Sequence, residues 1–204
     1  MSESRGGARR VGVFGGTFDP PHVGHVSVAA EVADTLDLDE VLWVPAADPP
    51  HKPYEPLAPV PLRLRMVRAA TRGDPRFRVS EVEISRAGPS YTIDTLEELV
   101  RGSLAGCEIF LIMGLDQFLS FDTWHRPDSI RALAKIAVMD RGGEGASEEL
   151  LRGDDSVVRV PVGRVDVSST RIRDRVARGE AILDLVPEAV ARIIDAEHLY
   201  RGHR

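Results

Sequence analysis

Residues 14–25 read Phe14-Gly15-Gly16-Thr17-Phe18-Asp19-Pro20-Pro21-His22-Val23-Gly24-His25, and their types and order suit phosphate chemistry. The apolar run Val11–Phe14 reads as a buried strand. Glycines follow, and two prolines turn the chain into a helix expected to begin near Gly24. Backbone N–H groups at a helix N-terminus bind phosphate well. Two imidazoles three residues apart on one first turn, each with a donor N–H, suit charge developing on a reacting phosphate better than they suit a metal. A helical zinc pair wants histidines at i and i+4 with a carboxylate. Here the spacing is i, i+3, and the nearby acid, Asp19, precedes the turn. Singly, a Gly-Gly after a strand is a turn and a helix-start histidine is a solvated residue. The ordered combination, after a strand and before a helix, points to a site.

The elements that must position these residues are legible as well. Apolar runs recur at Val11–Phe14, Val41–Val44, Ile109–Met113, Ile136–Met139 and Val157–Val160. Such near-continuous apolarity fits strands covered on both faces. Between them, Val26–Leu36, Leu62–Ala70 and Thr92–Val100 space their apolar residues by three and four. The alternation predicts an α/β fold, a doubly wound Rossmann-like parallel sheet with helices on both faces. Its ligand crevice is expected beyond the strands' carboxyl ends, at the topological switch. Ala46–Pro61 holds six prolines in 16 residues and reads as a stiffened surface excursion. Gly142–Glu149 reads as a flexible loop entering a short helix, and Pro187–Tyr200 as an amphipathic helix opened by a proline. Residues 1–9 are expected to be a loose basic tail and residues 10–204 one domain, without repeats or linkers.

The chain has 204 residues, 43% hydrophobic and 28% charged, which suits one soluble domain. Its one cysteine, Cys107, cannot make an internal disulfide and reads as a small core residue. No apolar stretch approaches the roughly 20 residues of a membrane helix, and no signal-peptide core follows the start. A cytoplasmic protein without a membrane partner is expected. The net charge of −6 argues against general nucleic-acid binding. It also requires that cations meeting a polyanion be gathered locally. His22, His25, Lys52, Arg171 and Arg173 all fall within motifs.

The first segment resembles the Gly-Thr-Phe-Asp-Pro-x-His-x-Gly-His signature of the nucleotidyltransferase superfamily. Val167-Ser168-Ser169-Thr170-Arg171-Ile172-Arg173 resembles its second signature, Ile-Ser-Ser-Thr-x-Ile-Arg. Three further segments are Pro49-Pro50-His51-Lys52-Pro53, Gly88-Pro89-Ser90-Tyr91-Thr92-Ile93-Asp94-Thr95-Leu96, and Gly114-Leu115-Asp116-Gln117-Phe118 with Trp124 downstream. Together they are similar to the bacterial nicotinate-nucleotide adenylyltransferases, from about Val11 to Tyr200, and the Ser-Tyr-Thr element is the most family-specific part. Arg141-Gly142-Gly143 departs from the family's Arg-Pro-Gly, which weakens the case for a nucleotide contact by Arg141. Val167 replaces an isoleucine.

The resemblance implies adenylyl transfer from ATP to nicotinate mononucleotide, giving deamido-NAD and pyrophosphate in NAD biosynthesis, with no covalent enzyme intermediate. The physics agrees with a site lacking a general base. A phosphomonoester with a second pKa of about 6 is already ionised at neutral pH. Alignment can then supply roughly 7–11 kcal/mol of the barrier, and donors aimed at the reacting phosphates supply the rest. By the same likeness His22, His25 and Arg173 are catalytic. ATP falls to Gly15, Gly16, Thr17, Phe18, His22, His25, Gly114, Asp116, Ser168, Ser169, Thr170 and Arg173. Nicotinate mononucleotide falls to Gly16, Thr17, His51, Lys52, Tyr91, Thr92, Asp116 and Trp124. Tyr91 and Thr92 would hold the carboxylate through backbone N–H groups, Trp124 would stack on the pyridine, and Asp116 would accept from ribose hydroxyls. Mg²⁺ is expected to bridge ATP phosphates without protein metal ligands.

The same residues admit other readings. Ser168–Thr170 also reads as a plain helix N-cap, and Trp124 as a half-buried core aromatic. Nicotinamide mononucleotide or phosphopantetheine could be the acceptor. An oxidoreductase or nucleotide sensor is disfavoured, because Gly12-Val13-Phe14-Gly15-Gly16-Thr17 lacks the Gly-x-Gly-x-x-Gly spacing. Homo-oligomerisation is left open.

Overall fold

A computed structural model of the chain describes residues 7–48, 58–140 and 154–201. Its strands are β1 (Arg10–Gly16), β2 (Glu40–Pro45), β3 (Phe77–Val79), β4 (Glu108–Gly114), β5 (Lys135–Asp140) and β6 (Val157–Pro161). Among the described residues these six form one sheet in the order β3-β2-β1-β4-β5-β6. Every pairing is parallel. The chain winds outward from β1 to β3 and then returns to lay β4 beside β1. The topological switch, and the crevice it opens, therefore lies at the carboxyl ends of β1 and β4.

The helices are α1 (Val23–Thr35), α2 (Val60–Ala70), α3 (Thr92–Arg101), α4 (Leu115–Leu119), α5 (Pro127–Leu133), α6 (Ser169–Ala177) and α7 (Glu188–Ala196). Successive side chains of a strand point to opposite faces. Phe14 joins Trp43 and Ile112 beneath Val28, Ala29 and Val32 of α1. Val13 joins Leu42 and Leu111 beneath Ile93, Leu96 and Leu99 of α3 and Ile130 of α5. With both faces covered, the strands need continuous apolar runs. A third cluster joins Met66 of α2, Ile172 of α6, and Val190 and Ile194 of α7. Helix propensity does not explain α1, which contains four valines. Burial does, because each fully buried valine or leucine contributes about 1.5–3 kcal/mol.

All five expected strands are present. The short β3 was not expected, since three residues display no period. α1 begins at Val23, and α2 at Val60, so helix replaces the last two residues assigned to the proline-rich excursion. Pro61 occupies the first turn, where a missing N–H costs nothing. The last helix stops at Ala196 rather than reaching Tyr200, because His198 and Tyr200 take φ of 51° and 60°. α4 and α5, of five and seven residues, are too short to show a pattern. Most of the proline-rich segment, with His51 and Lys52, lies outside the described residues, as do Arg141 and Gly142–Glu149. Among the described residues no helix is long and apolar enough to cross a membrane.

Candidate active site

The first signature occupies the turn from β1 into α1. His22 is the N-cap, and its Nδ1 accepts the His25 backbone N–H at 3.2 Å. In return His25 Nδ1 accepts the His22 backbone N–H at 3.2 Å. This is a capping box made of two imidazoles. Their rings stack with centroids 3.6 Å apart and planes 21° apart. A neutral imidazole that accepts at Nδ1 carries its proton on Nε2. The i, i+3 spacing thus satisfies two helix-end donors and sets both rings as Nε2–H donors on one edge. Neither job is served by a metal pair.

The turn itself is strained and held by packing. Phe18 has φ of 50°, the left-handed region, at a cost of order 1–3 kcal/mol. Its ring is 3% exposed. It meets Phe14 and His25 edge-on at centroid distances of 5.6 and 5.2 Å. Burial of a phenylalanine contributes about 1.5–3 kcal/mol, and aromatic pairs add roughly 0.5–1.5 kcal/mol each. Packing therefore outweighs the strain.

The second signature opens α6. Ser168 is indeed an N-cap, accepting the Arg171 N–H at 3.2 Å. The neighbouring residues do something else. Ser169 Oγ donates to the Pro20 carbonyl at 2.9 Å, and Arg173 Nη1 donates to the Asp19 carbonyl at 2.8 Å. Arg173 Nη2 also reaches Thr170 Oγ1 at 3.2 Å. The two signatures, separated by some 150 residues of chain, are thereby tied backbone to side chain. Arg171 turns to Asp166 instead and does not line the cleft.

Between them lies a cleft of about 530 Å³, closed on the far side by the ends of β4 and α3. Gly15, Gly16, Thr17, Phe18, His22, His25, Thr92, Gly114, Asp116, Trp124, Ser168, Ser169, Thr170 and Arg173 all line it. Thr17 Oγ1 is buried with no hydrogen-bond partner among the described residues. A Cβ on Gly114 would stand 2.5 Å from Asp116 Oδ1, so only glycine lets that carboxylate fold back there. Trp124 packs against Phe121 at 5.5 Å while facing the cleft. Tyr91 does not line the cleft: its ring lies against His125 at 4.6 Å and its N–H bonds the Pro89 carbonyl at 3.0 Å. Of the expected carboxylate-holding pair, the structure brings only Thr92 to the cleft wall.

Three helix N-termini converge here: α1 at His22, α3 at Thr92 and α6 at Ser168. Each carries about half a positive charge from aligned peptide dipoles. These dipole ends add positive potential to a cleft whose lining also carries Arg173 and the acids Asp19, Glu83 and Asp116.

Sequence reasoning missed two buried ionisable groups. Arg63 is 1% exposed. Its guanidinium donates to the carbonyls of Thr17 at 2.8 Å, Ala46 at 2.7 Å, Ala47 at 3.4 Å and Ala58 at 3.2 Å. It ties the first signature to the exit of β2. Desolvation lowers its pKa, opposed by the neighbouring Asp19 and Tyr200. The available signal was its place on α2, three and four residues before Met66 and Val67 on the apolar face. Glu83, also on the cleft wall, accepts from Thr95 Oγ1 at 2.8 Å and from the Ser90 hydroxyl. Burial raises its pKa, against the opposing hydrogen bonds and Arg86. It sits in a turn without periodicity, and no local pattern announces it.

Comparison with known proteins bears on the same residues. The cytidylyltransferase-like family model matches residues 13–175, which include both signatures. The chain is 43% identical over 193 residues to a protein of Salinibacter ruber named probable nicotinate-nucleotide adenylyltransferase, covering 94% of this chain and 97% of that one. A protein of the same name from Saccharopolyspora erythraea is 42% identical over 195 residues, covering 95% and 91%. The solved structure of Plasmodium falciparum nicotinic acid mononucleotide adenylyltransferase complexed with NaAD shares the fold. Its TM-score is 0.78 at 16% identity, covering 94% of this chain and 97% of that one. With two signatures meeting in one cleft and such relatives matched end to end, the chain belongs to the cytidylyltransferase-like family and, within it, to the nicotinate-nucleotide adenylyltransferases.

Proposed function

We propose that this chain transfers the adenylyl group of ATP to nicotinate mononucleotide, releasing pyrophosphate, as one domain over residues 10–204 acting in the cytoplasm. A phosphate oxygen of the mononucleotide attacks the α-phosphorus. The bond from that phosphorus to the α,β-bridging oxygen breaks, and pyrophosphate leaves with the electron pair. The single observation that carries the reading is the tie between signatures, Ser169 to Pro20 and Arg173 to Asp19. It puts the imidazole pair and the α6 N-terminus on one cleft, as in-line displacement at a triphosphate requires.

In this reading His22 and His25 donate from Nε2 to the α-phosphate oxygens as charge accumulates there. Ser168, Ser169, Thr170 and Arg173 receive the departing pyrophosphate. Thr92 offers the α3 N-terminus to the nicotinate carboxylate, and Trp124 stacks on the cationic pyridine ring. Among the described residues no group of three or more His, Cys, Asp or Glu could hold a metal ion. Mg²⁺ carried on ATP phosphate oxygens would supply charge neutralisation there. Purified protein with ATP, Mg²⁺ and either mononucleotide tests the reading by pyrophosphate release. The acid should be used at least about tenfold better than the amide, since a carboxylate gains more from a helix N-terminus. Equal rates, or preference for the amide, would overturn the acceptor assignment.

A further inference from the structure

The acid of the first signature is enclosed by parts of the chain remote from it. Asp19 is 4% exposed. Its Oδ1 accepts the Tyr200 hydroxyl at 2.6 Å and the Ala58 N–H at 3.2 Å. Its backbone carbonyl accepts Arg173 at 2.8 Å. Two residues earlier, the Thr17 carbonyl is held by Arg63, which also grips the Ala58 carbonyl. The turn that delivers His22 and His25 is thus clamped from α2, from α6 and from the segment after α7. Tyr200 lies 25 residues beyond the end of the matched family model, at residue 175.

We infer that Tyr200 is a positioning residue: its phenol, acting through Asp19, fixes the turn that sets the two imidazoles against the reacting phosphate. The chain reverses into left-handed backbone at Tyr200, φ 60°, and Leu199 beside it is buried with Met66, Ile172 and Ile194. That anchorage aims the hydroxyl inward. A buried carboxylate needs donors, and a short bond from a hydroxyl to a carboxylate is among the stronger hydrogen bonds in proteins. The Asp19–Tyr200 bond is only three residues upstream of His22, whereas no residue of the segment carrying the phenol lines the cleft. Tyr200 is 76 residues of chain from Trp124, the nearest cleft aromatic in sequence, yet one side chain away from the signature.

The inference deepens the proposed transfer and rests on it only for the kinetic readout. In the full chain, Tyr200→Phe keeps the ring in place and removes the hydroxyl. Turnover is expected to fall about tenfold with KM for both substrates within about twofold, the scale of one charge-assisted hydrogen bond expressed at the transition state. The ring ¹⁵N signals of His22 and His25 should shift as well. Ile194→Val trims the cluster that anchors the same segment. It should lower the melting temperature by a few degrees, roughly 2–4 °C, and leave turnover and imidazole signals unchanged. Wild-type turnover and unmoved imidazole signals in Tyr200→Phe would overturn the inference, as would an equal loss of turnover in Ile194→Val. If the unaltered protein uses neither mononucleotide, the function fails, and the imidazole spectra still decide the role of Tyr200.

Discussion

Gly24→Ala probes the contact on which the site depends. In a helix this change ordinarily gains up to about 1 kcal/mol. Here the added Cβ would sit 2.8 Å from Val167 Cγ1, 3.1 Å from His22 Nδ1 and 3.3 Å from His22 Cε1. Val167 belongs to the second signature and its branched side chain is stiff about χ1. Relief therefore requires α1 and the second signature to part, or the His22 ring to tilt away from its cap. Overpacking of this kind costs roughly 1–3 kcal/mol. Set against the propensity gain, a net loss of up to about 2 kcal/mol follows, which lowers the melting temperature by up to roughly 8 °C. Displacement by 1 Å can cost about 10²-fold in rate, so the few tenths of an ångström required here should cost about tenfold in turnover. Val167→Ala in the same chain removes Cγ1 and should restore much of both losses, a favourable coupling of about 1 kcal/mol. Thermal melts and pyrophosphate release on the four proteins of this cycle measure it. A Gly24→Ala protein as stable and active as the original would show that the two signatures do not press together there. Failure of Val167→Ala to recover either loss would say the same.

His25→Ala should lower turnover by about 10²–10³-fold, the scale for one removed transition-state donor. It should also cost about 1 kcal/mol of stability through the lost reciprocal cap. An unaltered rate in the folded variant would take this histidine out of the chemistry. Glu83→Gln should change how stability responds to pH. Burial holds the Glu83 carboxyl above its ordinary 4.5, so the folded chain binds that proton more tightly than the unfolded chain. Its favourable contribution is complete below pH 4.5 and is lost as pH rises through the folded value. The stability of the natural chain relative to the variant should accordingly decline with rising pH above 4.5, and a pH-independent difference in urea melts would refute this.

What was legible in the sequence is what the chain writes locally. The strands showed because both sheet faces are covered, so Val41–Val44 and Ile109–Met113 are apolar throughout. The signatures showed because turn chemistry and helix caps need particular residues at fixed spacing. What was hidden depends on partners far along the chain. Arg63 reads as one more charged helix residue until the carbonyls of Thr17 and Ala46 arrive to receive it. Tyr200 reads as the end of an amphipathic helix until Asp19, 181 residues earlier, meets its hydroxyl. The convergence of helix N-termini on the cleft was hidden for a different reason. A net charge of −6 counts side chains only. It cannot register that α1, α3 and α6 begin at one place, each presenting a dipole end. Because helix ends act over only their first turn, the three ends can act together on one bound group only while they stay converged. The contacts that clamp the Thr17–Pro21 turn, from Arg63, Ser169, Arg173 and Tyr200, hold the α1 end in that arrangement.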